Sequence, residues 1–407
     1  MKEYFKIAWR NLWRNRRRTF ITVASVLFAV FLALLMRSMQ LGTYSYMIES
    51  AVKNSTGYLQ LHQAGYWNDK SIDNTLVFSD ELSERIIKTE NVSEAIPRLE
   101  SFALVSSGKQ TKGVAVIGTI PELEDRVSGL SSRLVKGSYL SGRENGLLVA
   151  EGLANYLQAD VGDSLVLLGQ GYHGVTAAAE IPVRGIIRFV QPDMNNQLIY
   201  MDLSHAQDFY SSPERLTSVS IMLEDPDKTE KTQELLAAID PVNLEVMTWK
   251  EMLKEMLQGI QSDNVSGLVM LAILYLVVGF GILGTVIMMT IERKKEFGIM
   301  IAVGMQKKKL MGILAIETIL ITLLGIISGA LTSIPILFYM KNHPIPLRGE
   351  AAEAMLEMNW SPVIPFIVEP GFFINQSIAV MLISLIIIVY PLKAINKLKI
   401  VNAIKGR

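Results

Sequence analysis

Glu317 is the one ionisable residue set deep in an apolar run of this 407-residue chain. It stands about two turns inside that run, roughly 10 Å at 1.5 Å per residue. A carboxyl at such a depth can relay protons, snorkel to the interface or bond a neighbouring helix. A relay needs a second acid or a histidine close by, and no run supplies one, so a structural or coupling role is expected. Arg37 lies near the outer end of its own run and can reach the headgroups along its aliphatic stem. The four histidines, His62, His173, His205 and His343, lie far apart in the sequence. No metal site is therefore expected. No G-x-x-x-x-G-K-[ST] loop is present to cradle a nucleotide phosphate, and neither G-x-S-x-G nor H-E-x-x-H occurs. The expectation is a chain with no catalytic residue, no cofactor of its own and no nucleic-acid partner.

Four apolar runs must position Glu317. Residues 19–36 carry no charge and continue past Arg37 to about 42, and residues 265–291 are likewise uncharged. Residues 310–340 carry only Glu317, and residues 370–392 carry none. About 20 apolar residues cross the hydrocarbon core, so each run is long enough. One such run would suit a buried core helix, but four indicate a membrane protein. Composition agrees: 50% of the residues are hydrophobic and 19% charged, against about 25% charged in soluble domains.

The charges orient these runs. Residues 1–18 hold Lys2, Lys6, Arg10, Arg14 and Arg16–Arg18 against Glu3. Residues 292–309 hold six bases against two acids, and residues 393–407 hold five bases and no acid. By contrast, residues 43–264 hold 18 bases against 31 acids. Lysine and arginine are retained on the cytoplasmic side, so both termini and the 292–309 loop are expected inside. The first run exceeds the apolar length of a signal peptide and no A-x-A site follows, so it is read as an uncleaved anchor. With no cysteine, the external part must fold without disulfides.

Residues 2–16 place Phe5, Ala8, Trp9, Leu12 and Trp13 near helical spacing among bases, as in an interfacial helix or a plain basic anchor. The external stretch reads as α+β. Strands are expected at 58–62, 114–119, 146–150, 164–168, 181–187, 197–201 and 218–223. Helices are expected at 80–88, 151–157, 204–210 and 227–238. Residues 169–174, GQGYHG, form a hairpin tip between two strands, and residues 248–262 an amphipathic helix leading into the second run. Between the second and third runs lies ERKKEFGIMIAVGMQKKKL. Here Phe297 and Ile299–Val303 make an apolar stretch bracketed by Gly298 and Gly304. Exposed apolar residues on a basic loop require something to dock on, and a short helix presenting an apolar ridge to a soluble partner would supply the reason.

That segment resembles the E-[RK]-x-x-[ED]-[FI]-G-I-x-x-A-x-G coupling segment of the MacB/LolC/FtsX-like permeases of ABC transporters. The following run, with Glu317, Gly325 and Gly329, is similar to theirs, and such small residues let helices approach closely in lipid. FKIAWRNLWRNRRRTFIT resembles the family's opening helix, and the course of the external stretch from GTIPELEDRVSGL to QLIYMDLSHAQDFY is similar to its periplasmic domain. The resemblance implies four transmembrane helices in a 1 + 3 arrangement with a large α+β extracytoplasmic domain of Porter-like and Sabre-like parts. The expected organisation is an interfacial helix at 1–18, a first span at 19–42 and a periplasmic domain at 43–264 with its inserted part near 113–187. A second span at 265–291 and a coupling loop at 292–309 follow. A third span at 310–340, an outer loop at 341–372, a fourth span at 373–392 and a tail at 393–407 complete it.

The resemblance assigns ATPase coupling to Glu292, Arg293, Glu296, Phe297, Gly298, Ile299, Ala302 and Gly304. It implies a separate ATPase subunit that binds ATP and Mg, a second permease copy or homologous permease, and mechanotransmission in a cell inner membrane. Within the family, GYLQLHQAGY and the GLANYL…GD stretch are most similar to lipoprotein-releasing permeases. There a hairpin recruits a periplasmic lipoprotein carrier. Here the matching tip carries Gln170, Tyr172 and His173, which serves as a carrier loop or is an ordinary turn. Met36, Met39, Leu41, Val265, Leu268 and Met270 form a candidate cargo surface or simply face membrane lipids. Three functions remain open: lipoprotein release, MacB-like efflux with an outer-membrane duct, and FtsX-like signalling to a cell-wall hydrolase.

Overall fold

The computed structural model describes residues 2–14, 16–141, 145–357 and 362–397. They divide into a helical unit, Met1–Ser45 with Gly259–Pro346 and Val363–Arg407, and a second unit, Tyr46–Gln258 with Leu347–Pro362.

In the helical unit each apolar run lies inside one long helix: Arg16–Ala51, Lys254–Glu292, Lys307–Asn342 and Pro370–Asn396. All four are long and apolar enough to cross a membrane. A helix satisfies its own backbone groups, which lipid cannot do for it. The first three, at 36 to 39 residues, extend to more than 50 Å and so project beyond the ~30 Å hydrocarbon core. Inward-facing Val26, Val30, Ile282, Val286, Ile326 and Val380 interlock in one apolar core, while Phe28, Val277, Leu331 and Ile386 stay exposed for lipid. Spans one and three pack closely because span three offers glycine. A Cβ on Gly325 would lie 2.5 Å from the Val26 Cβ, and one on Gly329 2.9 Å from the Val30 Cβ.

The amphipathic helix Lys2–Arg14 does not present all its apolar residues to one interface. Ala8 and Leu12 are buried, Leu12 against Met289 and Ile321, while Phe5, Trp9 and Trp13 stay exposed. It is therefore a packed part of the bundle with an outward aromatic edge.

The second unit is built on a ten-stranded mixed sheet. Its order is Leu244–Thr248, Leu59–Gln63, Ser218–Leu223, Val92–Ser106, Thr111–Thr119, Leu198–Asp202, Leu147–Ala150, Thr176–Ile187, Leu134–Gly137. Ser164–Gln170 pairs with both Val92–Ser106 and Thr176–Ile187. Most ladders are antiparallel; Thr111–Thr119 with Leu198–Asp202 and Leu147–Ala150 with Thr176–Ile187 run parallel. Helices Asp80–Ile87, Glu151–Leu157, Leu203–Phe209 and Thr229–Ala237 fall within two residues of expectation at each end. Residues 113–187 make no separate sheet, because Thr111–Thr119 pairs on either side with strands outside that range. The 248–262 helix is also interrupted: a capping box closes Thr248 onto Glu251, and Trp249–Met252 ends before a new helix begins at Lys254.

The longest strand, Val92–Ser106, was invisible to alternation because Pro97, Arg98 and Glu100 break the pattern. Pro97 lacks an N–H, and the ladder to Thr111–Thr119 starts only at Arg98. Arg98 is buried and holds buried Glu124 bidentately at 3.0 and 2.8 Å. The guanidinium also donates to the Ser55 carbonyl in the π-helical turn Val52–Thr56. A charge inside a sheet survives only with such pairing.

Candidate functional site

Span two ends at Glu292, and Arg293 is the N-cap of the short helix Lys294–Ala302 that leads to span three. The turn after it needs a left-handed residue, and Gly304, at φ +105°, provides one without a Cβ penalty. Its N–H donates to the Ile301 carbonyl, and that of Met305 to Met300, so the helix stops cleanly before Lys307.

Arg293 is turned inward. Its Nη1 donates to both oxygens of Glu317 at 2.9 Å, and the two residues are 4% and 1% exposed. The Asn11 side chain also hydrogen-bonds this carboxylate, and the Arg293 guanidinium lies 5.2 Å over the Phe297 ring. Around this pair the acids of the loop are engaged by the N-terminal arginines. Arg14 donates to Glu296 at 2.6 Å, Arg18 pairs with Glu292, and Arg293 Nε reaches Glu296 at 3.4 Å. Glu317 thus ties the connecting helix to span three. A buried carboxylate two turns into a span demands a base, but the nearest ones in sequence, Lys307–Lys309, are not its partner; Arg293, 24 residues away, is. The partners Asn11, Arg14 and Arg18 left no trace in spacing.

Phe297 does not form an outward ridge. It is fully buried with Leu310, Leu314 and Ile395, wedged between the starts and ends of spans three and four. Gly298 is buried as well. The outward face is instead Ile299, 48% exposed, with Ala302, Val303, 84% exposed, and Gly304. Ile299 and Val303, four residues apart, stand one above the other on the helix surface.

The other sequence candidates are scattered. Met39 and Leu41 pack on the bundle core, Met36 is half-buried, and Val265, Leu268 and Met270 are exposed. Arg37 does not snorkel; its Nη1 donates to Gln40 at 2.8 Å and to Asn264 at 2.7 Å, and Tyr44 donates to Asp263 at 2.5 Å. A polar network therefore ties spans one and two, and Gly267 lets Gln40 approach, since a Cβ there would lie 2.1 Å from its amide nitrogen.

At the hairpin tip, Gln170 ends its strand and Tyr172–Gly174 makes a single 3-10 turn, with His173 at φ +54°. The tip is tied down. The Tyr172 N–H donates to the Tyr210 carbonyl at 2.8 Å, Arg215 stacks 4.4 Å over the Tyr172 ring, and the His173 N–H donates to Asp73 at 2.6 Å.

Against known families, residues 19–239 match the MacB-like periplasmic core domain and residues 268–400 the FtsX-like permease C-terminal domain. The first match alone covers more than half of the chain. This chain belongs to the MacB/LolC/FtsX-like permeases. The second match contains the whole Arg293–Glu317 site. Among curated relatives, the lipoprotein-releasing system transmembrane protein LolE of Haemophilus influenzae is 27% identical over 237 residues, 55% of either chain. LolC of Xylella fastidiosa is 24% identical over 250 residues, 59% of either chain. The chain thus spans little more than half the length of the curated relatives it matches. The periplasmic region of MacB from Actinobacillus actinomycetemcomitans gives a TM-score of 0.37 at 12% identity, over 51% of this chain and 95% of that one.

Proposed function

We propose that this permease is the membrane subunit of an ABC transporter. It docks a separate ATPase through the outward face of helix Lys294–Ala302 and passes the ATPase stroke to its sheet domain. The observation that carries this reading is the division of labour within the helix. Arg293 and Phe297 fix it to spans two, three and four, while Ile299, Ala302 and Val303 are left bare on a segment rimmed by Lys294, Lys295, Lys308 and Lys309. An apolar residue exposed to this degree beside charges is stabilised by a protein partner rather than by water. A rigid attachment is what a lever needs, since a loosely held loop would absorb the stroke.

In this reading both termini and the connecting helix face the cytoplasm of a cell inner membrane, following the basic segments. ATP and Mg belong to the ATPase, and a second permease, identical or homologous, completes the pair. The printed role of the LolE and LolC relatives supports lipoprotein release as the work done. Carrier recruitment through Gln170, Tyr172 and His173 is not part of the proposal, because that tip is bound to its own domain.

Ile299→Glu and Val303→Glu, alone and combined, are expected to abolish co-purification of the ATPase while leaving the permease folded and membrane-inserted. Retention of the ATPase by the double variant would refute the docking face. For cargo, depletion of the permease should leave lipoproteins in the inner-membrane fraction; normal lipoprotein sorting would remove that part of the proposal.

A further inference from the structure

A cavity of about 1150 Å³ opens beside the site, between the N-terminal helix, the start of span one and the end of span two. Its polar half is lined by Arg14, Arg16, Arg17, Arg18 and Arg293 against only Glu292 and Glu296. Arg14, Arg18 and Arg293 are engaged by acids, as described above. Arg16, whose Nε donates to the Trp13 carbonyl at 3.3 Å, and Arg17 make no ion pair among the described residues. The other half is apolar: Ile21, Phe280, Gly281, Gly284, Thr285 and Met288. Thr285 satisfies its hydroxyl by donating to the Gly281 carbonyl at 2.9 Å. A Cβ on Gly281 or Gly284 would meet nothing within 4 Å, so these glycines leave a furrow that no protein atom fills.

We infer that this cavity is a binding site for one anionic phospholipid, its phosphate held by Arg16 and Arg17 and one acyl chain laid along the furrow of span two. Charge alone would fit a free phosphate as well. The apolar wall decides between the sources. From Phe280 to Met288 it rises about 12 Å at 1.5 Å per residue, most of one leaflet, half of the ~30 Å hydrocarbon core. Trp13 also lines the cavity, and indole rings favour the headgroup region. Basic pockets between membrane helices bind anionic headgroups by this combination of charge and burial. The lipid would touch the same arginine cluster that holds Glu292 and Glu296, so the bilayer itself becomes a component of the coupling site.

The test is native mass spectrometry of the full chain, titrated in turn with phosphatidylglycerol, phosphatidylcholine and glycerol 3-phosphate. One phosphatidylglycerol is expected to stay bound under conditions that strip phosphatidylcholine. Arg16→Gln with Arg17→Gln should weaken it roughly 30-fold, about fivefold per arginine, and Arg16→Lys with Arg17→Lys should restore it. Gly284→Leu fills the furrow without touching a charge and should reduce phosphatidylglycerol binding to the level of glycerol 3-phosphate. Equal retention of the two lipids would overturn the inference. So would displacement by glycerol 3-phosphate at matched concentration, unchanged binding in Gly284→Leu, or retention that appears only when an ATPase subunit is present.

Discussion

The buried pair Arg293–Glu317 gives a quantitative prediction for the helical unit. Neither residue has water to fall back on, and both Glu317 oxygens are committed to the same guanidinium nitrogen at 2.9 Å. Removing one partner of such a pair leaves an uncompensated buried charge, which costs about 3–5 kcal/mol. Glu296, at 3.4 Å from Arg293 Nε, offers partial relief but is already held by Arg14. The expected loss for Glu317→Leu is therefore near the low end, ~3 kcal/mol, with a similar loss for Arg293→Met. Replacing both by apolar side chains of similar volume removes the charge together with its partner and is roughly neutral. The double variant should then lie well above the sum of the singles, with a coupling of at least ~2 kcal/mol. Unfolding of the purified protein in mixed micelles, followed by its intrinsic tryptophan fluorescence, measures all four corners of the cycle. Singles costing under ~1 kcal/mol, or a double variant equal to their sum, would show that the pair does not anchor the connecting helix.

Two further outcomes follow from packing and burial. Gly325→Leu should destabilise the bundle by more than ~1–3 kcal/mol, because its Cβ would enter Val26, whereas Gly312→Leu, whose Cβ meets nothing within 4 Å, should be tolerated; equal thermal midpoints for the two would contradict the close span one–span three contact. His62, fully buried against Gln60, has its imidazole pushed down by desolvation from 6.5 to about 4. The unfolded chain therefore takes up a proton that the folded chain refuses. Stability is full above about pH 6.5 and declines as pH falls toward 4, by about 3 kcal/mol in all at 1.36 kcal/mol per unit. Calorimetry across that window should show the slope in the natural protein and lose most of it in His62→Gln.

Much of this protein is written in its composition. Long uncharged runs can satisfy their backbones in lipid only as helices, so the four long helices were readable from charge spacing, although the first runs on to Ala51 and the second begins at Lys254, well past the outer ends of their uncharged runs. The strands at 218–223 and 164–168 were legible for a similar reason: alternation and turn residues are local signals. Glu317 was also legible, because a lone carboxylate in an apolar run is anomalous wherever it falls.

What the tertiary structure decided is which side of each residue faces inward. The segment Phe297–Val303 reads as one apolar stretch, yet Phe297 is wedged under spans three and four while Val303 is bare. Helical phase relative to neighbours, not residue type, separates anchor from docking face. Arg37 illustrates the same point, since a residue able to snorkel instead donates to Gln40 on its own helix and to Asn264 on span two. Val92–Ser106 was lost to sequence reading because its buried arginine is tolerated only by a glutamate 26 residues away. Long-range pairing of this kind leaves no periodic trace, and it exists only once the chain has folded.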